Sequence, residues 1–314
     1  MFDLSYSKNH RTIQQIARDI LAREVGERLP TSIQYQEELE VGSGTVQKGI
    51  RVLQNVGAVR LRPRGHQGTL IVDRNVGALW AIAGLGPVTG ALPLPDSLEN
   101  AGLASGLREQ FDAQGIPLQM LYRHGAALRL GMVREGRADF AIASQGAGEN
   151  QRAADEEGHW TILDFGPYSY YSEGSIVVLS RWRTDGSVAP AIRTVGIDLA
   201  SHDHTRLTLA EFPESGGYVY ESISYPSLPA AVAEGRVDGA IWHRTLLSIP
   251  LSLVGVDVTS PRQETLEVYE SMASAILLAP AGKPELAALL RHLDIERIRD
   301  LQTRVLRGET PPEY

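Results

Sequence analysis

Residues 29–72, LPTSIQYQEELEVGSGTVQKGIRVLQNVGAVRLRPRGHQGTLIV, determine the fold of the N-terminal part of this chain. The spacing of their apolar residues predicts two short helices, over residues 31–40 and 43–56, joined by a tight turn. Two strands follow, over residues 58–62 and 69–72, with a glycine-rich tip between them. Two helices, a tight turn and a basic hairpin are the outline of a winged helix-turn-helix, which places one helix in the major groove of DNA.

Charge is distributed unevenly along the chain. Residues 1–75 carry 11 Lys and Arg against 8 Asp and Glu, whereas the remainder carries 19 against 30. A basic head on an acidic body predicts two domains with different partners, and a length of 314 residues fits about two domains. We therefore expect a DNA-binding domain over residues 1–75, called the head, and an effector domain over residues 76–314, called the body.

Composition restricts the compartment and the chemistry of the protein. The chain has no cysteine, which excludes disulfides, thiolate chemistry and Cys-ligated metals. The sequence begins MFDLSYSKNHRT, without the apolar core of a signal peptide, and no run of about 18 apolar residues occurs. These features predict a cytoplasmic protein.

The predicted second helix and the hairpin supply the candidate DNA contacts. Phosphates favour basic residues because each neutralised phosphate releases counterions, and residues 41–72 contain five basic side chains and no acidic one. We predict base-edge contacts from Ser43, Thr45 and Gln47, and backbone contacts from Lys48, Arg51, Arg62, Arg64 and His66. Two alternatives remain at this stage: a basic surface that is merely solvated, and a retained fold that no longer binds DNA.

The run LP…LEVGSGTV…VLQNVGAVRLRPRG…GT resembles the GntR class of winged-helix repressors over the whole head. This resemblance implies that the partner of the head is double-stranded DNA. In that class, arginine commonly occupies the positions held here by Ile33, Ser43 and Gln47, and serine that of Gly42. The operator sequence therefore does not carry over, and a modest affinity is expected.

The body contains an internal repeat. Glu-Gly-Arg-x-Asp-x-Ala-Ile occurs over residues 135–142 and again over residues 234–241. Each copy predicts a helix that ends at a glycine, Gly136 or Gly235, followed by a buried strand over residues 139–143 or 238–242. Two such units predict two similar α/β lobes with mainly parallel sheets.

Other segments of the body fit this interpretation. Further strands are predicted over residues 79–83, 117–122, 175–179, 194–197, 219–223 and 274–278, and helices over residues 100–111, 284–293 and 295–306. In the first of these helices, Gly102, Ser105 and Gly106 predict close packing against a neighbour.

Two α/β lobes in a chain of this length resemble the type II periplasmic-binding-protein fold, which LysR-type effector domains share. The resemblance implies that the chain crosses between the lobes twice, which we place near residues 165–180 and 268–280. Lobe I then covers about residues 78–168 and 275–314, and lobe II about residues 180–270. The head together with SLENAGLASGLREQFD, GPYSYYSEGSIVVLSR, TVGIDLAS and VDGAIWH resembles the YhfZ family over nearly the full chain, which implies a one-component transcriptional regulator.

A ligand of such a fold lies beyond the carboxyl ends of the strands, where helix N-termini offer free N–H groups. That rule selects Asp96, Ser97, Arg123, His124, Ser144, Gln145, Tyr170, Ser172, Glu173, Asp198, Tyr225, Ser227, Trp242, His243 and Arg244. Arg123 and Arg244 are expected to face each other across the cleft. Paired arginines and helix N-termini favour an anionic small molecule. Any one of these residues has the alternative role of a cap, a turn residue or a surface charge.

Enzymatic chemistry has weaker support in the sequence. GLGPVTG at residues 84–90 lacks the spacing of a phosphate-binding loop, and Gly-x-Ser-x-Gly does not occur. The i, i+2 spacing of His202 and His204 does not place both on one helix face, so no metal is expected, and Asp203 is predicted to cap the following helix. No cofactor is expected.

The sequence thus predicts a ligand-responsive DNA-binding regulator that acts as a homodimer, because a two-fold pair of heads reads a palindrome. Two alternatives stay open. One is an enzyme with a vestigial head, in which His124 or His243 beside Glu173 would act as a base. The other is an interaction module whose cleft is sealed by apolar side chains.

Overall fold

The computed structural model describes residues 8–65, 68–153, 160–181, 191–244 and 251–314. The chain divides into two compact units. The first takes the chain up to Thr89 together with Arg108–Gln119 and Ala281–Asp294, and the second takes Gly90–Leu107, Met120–Pro280 and Ile295–Tyr314. The chain therefore passes from one unit to the other at five points. His66, one of the predicted DNA contacts, lies outside the described residues.

The head contains the predicted helices and hairpin. Its elements are α1 (Lys8–Leu21), β1 (Arg28–Leu29), α2 (Ser32–Leu39), α3 (Ser43–Asn55), β2 (Val59–Pro63) and β3 (Thr69–Arg74). The strands form an antiparallel sheet in the order β1-β3-β2. Thr31 begins α2 with a capping box, in which its side chain accepts from the backbone N–H of Gln34 and the Gln34 side chain accepts from the N–H of Thr31.

The first unit also contains two helices from beyond residue 75. They are α4 (Val76–Ile82) and α11 (Pro284–Arg291). The strand predicted over residues 79–83 is wrong, because this segment is helical. Asn75 caps α4 by accepting from the N–H of Ala78, and Val76, Leu79 and Trp80 are buried at helical rather than alternating spacing.

The rest of the body is built on two five-stranded sheets. The first contains β4 (Val88–Leu92), β5 (Leu118–Tyr122), β6 (Phe140–Ser144), β7 (Trp160–Asp164) and β13 (Ala275–Pro280), in the order β5-β4-β6-β13-β7. The second contains β8 (Ile176–Arg181), β9 (Thr194–Ile197), β10 (Val219–Ser222), β11 (Gly239–His243) and β12 (Val256–Thr259), in the order β10-β9-β11-β8-β12. The chain crosses between the sheets after Asp164 and returns before Ala275.

Helices connect the strands of both sheets. They are α5 (Leu98–Ala113), α6 (Ala126–Arg134), α7 (Gln145–Ala153), α8 (His202–Glu211), α9 (Leu228–Glu234), α10 (Gln263–Glu270) and α12 (Ile295–Leu306). Among the residues that the structure describes, no helix is both long and apolar enough to cross a membrane.

The two copies of the internal repeat occupy the same place in their sheets. Gly136 and Gly235 follow α6 and α9 with φ of 70° and 72°, which is the left-handed conformation that glycine adopts most easily. Each copy then enters the third strand of its sheet, β6 or β11. The predicted fold class, a winged helix-turn-helix followed by two α/β lobes, is confirmed.

The sheets are mixed rather than mainly parallel, which corrects one prediction. β9 pairs in parallel with β10 and β11, and β4 pairs in parallel with β6. The crossing strands β8 and β13 run antiparallel to both of their neighbours. Each of these strands enters its sheet from the other lobe. It therefore runs in the opposite direction to the strands that helices connect within the sheet.

Close packing of α5 against α12 depends on the two glycines that the sequence indicated. A Cβ at Gly106 would lie 2.8 Å from Ile298 Cγ2 and 2.9 Å from the Ile298 carbonyl oxygen. A Cβ at Gly102 would lie 2.9 Å from Gln302 Cα. Hydrogen bonds reinforce this contact, because the buried Gln302 amide donates to the carbonyls of Glu99 and Ser169.

We expect Gly106→Ala to lower the free energy of unfolding by about 1–3 kcal/mol, because the added methyl group overpacks the α5–α12 contact. Urea unfolding of the two proteins measures the difference. Gly131→Ala is the matched control, because Gly131 also lies inside a helix and no atom would contact its Cβ within 4 Å. That change should be neutral or stabilise by up to about 1 kcal/mol. Equal effects of the two substitutions would contradict the packing argument.

Candidate functional site

The head presents a polar face of α3 to solvent. Val46, Gly49 and Leu53 are buried on its inner face. On the opposite face Gln47, Lys48 and Arg51 are exposed, while Ser43 and Thr45 are half-buried. Gln47 Nε2 approaches Ser43 Oγ only at 3.5 Å, which is a weak contact that leaves both groups available to bases.

The hairpin, which follows α3 in the sequence, adds further basic side chains. Arg62 lies on β2, Arg64 follows it, and both side chains are exposed. Arg60 on the same strand is paired with Asp73 at 3.3 Å and is therefore less available to a phosphate. The DNA contacts of Ser43, Thr45, Gln47, Lys48, Arg51, Arg62 and Arg64 remain predictions that this exposure pattern permits.

The second unit contains a partly open cavity of about 360 Å³ between the two sheets. Its walls come from the carboxyl ends of parallel strands: Asp96 follows β4, His124 follows β5, Ser144 ends β6, Tyr225 follows β10 and His243 ends β11. This is where ligands bind in open α/β sheets. The volume lies at the lower end of the range for small-molecule sites, about 300–1,000 Å³.

Arg129 is the principal cation of the cavity wall. Its side chain is only 2% exposed and stands in the first turn of α6. Nε donates to the Ile142 carbonyl at 2.7 Å, Nη1 to the Arg123 carbonyl at 2.7 Å and Nη2 to the Tyr170 hydroxyl at 3.1 Å. Because a guanidinium has five N–H groups, two remain beyond these three bonds.

The N-terminus of α6 beside Arg129 is open. Gly125 occupies the cap position without a side-chain hydrogen bond, and the first turn contains no acidic residue. Gly125, Ala126 and Ala127 all line the cavity. Free N–H groups at a helix N-terminus and a buried guanidinium both favour an anionic group.

Acceptors also line the cavity. Asp96 is exposed, and Asn100 has its amide orientation fixed by donation from Nδ2 to the Leu94 carbonyl, which leaves Oδ1 without a partner. Asp203, buried in the first turn of α8, accepts from the Tyr171 hydroxyl at Oδ2, and its Oδ1 has no hydrogen bond. Burial raises the pKa of Asp203 because the charged form loses its hydration.

Two histidine–carboxylate pairs link the lobes at this cavity. His243 Nε2, at the end of β11, lies 3.5 Å from Glu99 Oε1 on α5, and both side chains are buried. Burial alone would raise the pKa of Glu99, but the charge and hydrogen bonding of His243 lower it to about 2. His124 Nε2 lies 3.8 Å from Asp198 Oδ2 and its ring stacks on Tyr225 at 5.8 Å. Each pair therefore joins a side chain of one lobe to a side chain of the other at the cavity wall.

His204 is a neutral structural element of the wall. Its Nδ1 accepts from the Asp198 backbone N–H at 3.0 Å, which leaves Nε2 to donate to the Ile241 carbonyl at 3.0 Å. Burial lowers the pKa of His204 to about 4, because the charged imidazolium would lose its hydration. Ser201, rather than Asp203 as the sequence predicted, caps α8 by accepting from the His204 N–H.

The structure brings six of the predicted ligand residues into the cavity lining. They are Asp96, His124, Ser144, Tyr170, Tyr225 and His243. Asp198 stands behind the lining, where its carboxylate accepts from the N–H groups of Ala200 and Tyr225. Trp242 also lies outside the lining and stacks on Tyr225, with ring centroids 4.4 Å apart.

The remaining predicted residues serve other roles. Ser97 accepts from the N–H of Asn100, Gln145 donates to Glu149, and the N–H of Ser172 donates to Glu99. Ser227 precedes α9, its hydroxyl 3.1 Å from that of Ser224. Glu173 is exposed and is not part of the lining, so it does not join His124 or His243 there.

Arg123 and Arg244 do not face each other across the cavity. Both side chains are exposed and neither lines the cavity; each backbone N–H donates to a carbonyl, of Leu92 and Ser175 respectively. Sequence reasoning missed Arg129, Asn100, Tyr171, Asp203 and His204. The signal for Arg129 was its position on the buried face of α6, beside Leu130 and four residues before Val133. A charged residue in an apolar stripe needs a polar partner.

Both the head and the body match models of known protein families. A model of the YhfZ C-terminal domain matches residues 75–314, and a helix-turn-helix domain model matches residues 24–71. The uncharacterized protein YhfZ of Escherichia coli K12 is 28% identical over 304 residues, 96% of each chain. The resemblance to the YhfZ family that the sequence indicated is thereby confirmed.

Solved structures agree on the fold. The crystal structure of YhfZ from Shigella flexneri has a TM-score of 0.60 at 28% identity, covering 76% of this chain and 98% of that chain. The periplasmic aliphatic sulphonate binding protein SsuA of Escherichia coli has a TM-score of 0.51 at 13% identity, covering 71% and 75%. The second likeness shows the fold alone. The helix-turn-helix match suggests a DNA-binding regulator.

Protonation of His204 should destabilise the protein as the pH falls from about 7 to 5. The folded pKa of about 4 lies below the unfolded value of about 6.5, so the unfolded state takes up the proton first. The expected loss is about 2 kcal/mol of unfolding free energy over this interval. Urea unfolding at several pH values measures it. His204→Gln should flatten the dependence, whereas the control His202→Gln should not. Parallel profiles for wild type and His204→Gln would disprove this assignment.

Proposed function

Because the chain belongs to the YhfZ family, we propose that it is a DNA-binding transcriptional regulator whose operator affinity responds to a small molecule in the cavity. The observation that carries this proposal is the presence of two sites in one chain. One is an exposed polar helix in a winged helix-turn-helix, and the other is a polar cavity at the strand ends of a two-lobed domain. A sensor joined to a DNA reader is the composition of a one-component regulator.

The polar lining supports a ligand rather than a sealed interaction module. Charged and hydrogen-bonding groups in a cavity of about 360 Å³ are costly to keep without a partner. We propose that the effector carries an anionic group, held by Arg129 and the N-terminus of α6. These groups take the place that the sequence had given to Arg123 and Arg244.

The proposed mechanism is a population shift. An effector that binds better when the lobes are closed favours the closed state, and a change in the presentation of the heads alters operator affinity. We propose that the protein acts as a homodimer in the cytoplasm, since a two-fold pair of winged helices reads a palindromic operator and the operator lies there. Light scattering on the purified protein tests the dimer.

Lys48→Ala and Arg64→Ala should each weaken binding to the DNA upstream of the protein's own coding sequence. The loss should be equal for specific and scrambled DNA, because a phosphate contact carries no sequence information, and the slope of log K against log salt should fall by about one. Fluorescence anisotropy across a salt series measures both quantities. Arg304→Ala, an exposed arginine on α12, is the charge-matched control and should bind as wild type. Unchanged binding in both test variants would rule out this DNA surface.

Any compound that binds the cavity should change operator affinity by about 5- to 150-fold at saturation. By linkage, operator DNA should change the affinity for that compound by the same factor. Thermal-shift screening identifies the compound, and anisotropy with calorimetry measures the two factors. A compound that saturates the cavity and leaves operator affinity unchanged would refute the coupling.

A further inference from the structure

The cavity lining carries both a cationic group and acidic groups. Arg129 supplies a permanent positive charge, while Asp96 and Asp203 supply carboxylates. His204 is neutral, and His243 is already paired with Glu99. An effector that is only anionic would therefore meet Arg129 but would offer no cation to the two carboxyl groups. This mixture distinguishes the cavity from a simple anion site.

The free hydrogen-bonding groups of the lining also fall into two sets, donors near Arg129 and acceptors near the carboxyl groups. On the donor side are the two remaining N–H groups of Arg129 and the uncapped N–H groups of α6. On the acceptor side are Asp96, the unpartnered Oδ1 of Asn100 and the unpartnered Oδ1 of Asp203, of which Asp203 is only 5% exposed. Buried polar atoms without partners are rare in native proteins, and a ligand is one way to satisfy them.

We propose that the effector is a small zwitterion, with an acidic group held by Arg129 and the α6 N-terminus and a protonated amine held by Asp96, Asn100 and Asp203. This inference rests on the proposed function and adds a basic group to the anionic effector. An ammonium group supplies three donors and no acceptor, which matches a set of acceptors. It also lowers the cost of keeping the Asp203 carboxylate ionised in a buried position.

The two halves are connected through tyrosines. Arg129 donates to the hydroxyl of Tyr170, whose ring packs edge-on against Tyr171 at 4.7 Å, and the hydroxyl of Tyr171 donates to Asp203. Tyr170 and Tyr171 lie in the segment where the chain crosses between the lobes. A ligand that engages both charges therefore contacts residues of both lobes, Arg129 from one and Asp203 from the other.

Matched probes test this inference on the full-length protein. The panel contains the twenty common amino acids and straight-chain ω-amino acids, each with the carboxylate and the amine of the same carbon skeleton. Thermal shift and calorimetry should show a zwitterion that binds about tenfold or more tightly than either one-ended analogue, since each end makes charge-assisted hydrogen bonds. Absence of binding by every zwitterion, or equal binding by a one-ended analogue, overturns the inference.

Matched substitutions test the two ends of the ligand site separately without disturbing the core. Ala127 is exposed in the first turn of α6, where Ala127→Asp places a carboxylate that competes with the ligand's acidic group. Ala127→Asp should reduce zwitterion affinity about tenfold more than Ala127→Asn, which has the same size without the charge. Asp96→Asn should reduce affinity for the zwitterion but not for its carboxylate analogue. The control is Glu264→Gln, which removes the charge of an exposed glutamate on α10 and should leave binding as in wild type. Equal affinities for the Ala127 pair, or full zwitterion affinity in Asp96→Asn, would overturn the assignment.

Operator binding is measured separately, so that the two proposals fail independently. If a sugar, a phosphate or a simple carboxylate binds the cavity and alters operator affinity, the regulator stands and the zwitterion does not. If a zwitterion binds without altering operator affinity, the zwitterionic ligand is supported and the coupling between cavity and operator is refuted.

Discussion

The cavity depends on a single buried guanidinium. Arg129 is removed from water almost completely, and an unpaired charge in that position would cost many kcal/mol. Its three hydrogen bonds offset that cost by joining the β5–α6 turn through the Arg123 carbonyl, strand β6 through the Ile142 carbonyl and the crossing segment through Tyr170. Because those three elements form the wall of lobe I, the geometry of the wall follows from the donors of this side chain.

The repeated architecture explains why polar groups converge at the cavity. Each sheet has the same order: β6 or β11 is central, β4 or β9 lies beside it, β5 or β10 forms the edge, and the crossing strand β13 or β8 runs against its neighbours. Parallel strands end on the same edge, so the residues after β4, β5, β9 and β10 are brought together. The strand-end edges of both sheets line the cavity. The segment that crosses between the sheets, with Tyr170 and Tyr171, also lines it.

Much of this architecture could be predicted from the sequence, and the failures have physical causes. The repeat fixed β6 and β11 because a helix that ends at a left-handed glycine before an apolar run has few other solutions. Residues 79–83 were assigned to a strand because a short apolar run does not distinguish a strand from a buried helix. The ligand residues were assigned by their position after strands, which is a property of topology. Arg123 and Arg129 are equally plausible by that rule, and only the buried face of α6 separates them.

The head, residues 1–75, packs in one compact unit with segments of the body, so residue 75 divides the sequence but not the packing. Arg74, at the end of β3, donates to the carbonyls of Ile20 and Leu21 at the end of α1 and to the carboxylate of Glu24. It also donates to His292 Nε2 at 2.8 Å, and since arginine cannot accept, this histidine is held neutral.

Arg291 reaches the same carboxylate, so Glu24 of the head binds two arginines, one of which belongs to α11 of the body. The helix α11 directly follows the crossing strand β13, and it shares a compact unit with the head. Strand β13 is thus followed directly by a helix that packs on α1, so the chain passes from the last strand of the first sheet back to the unit that contains the head.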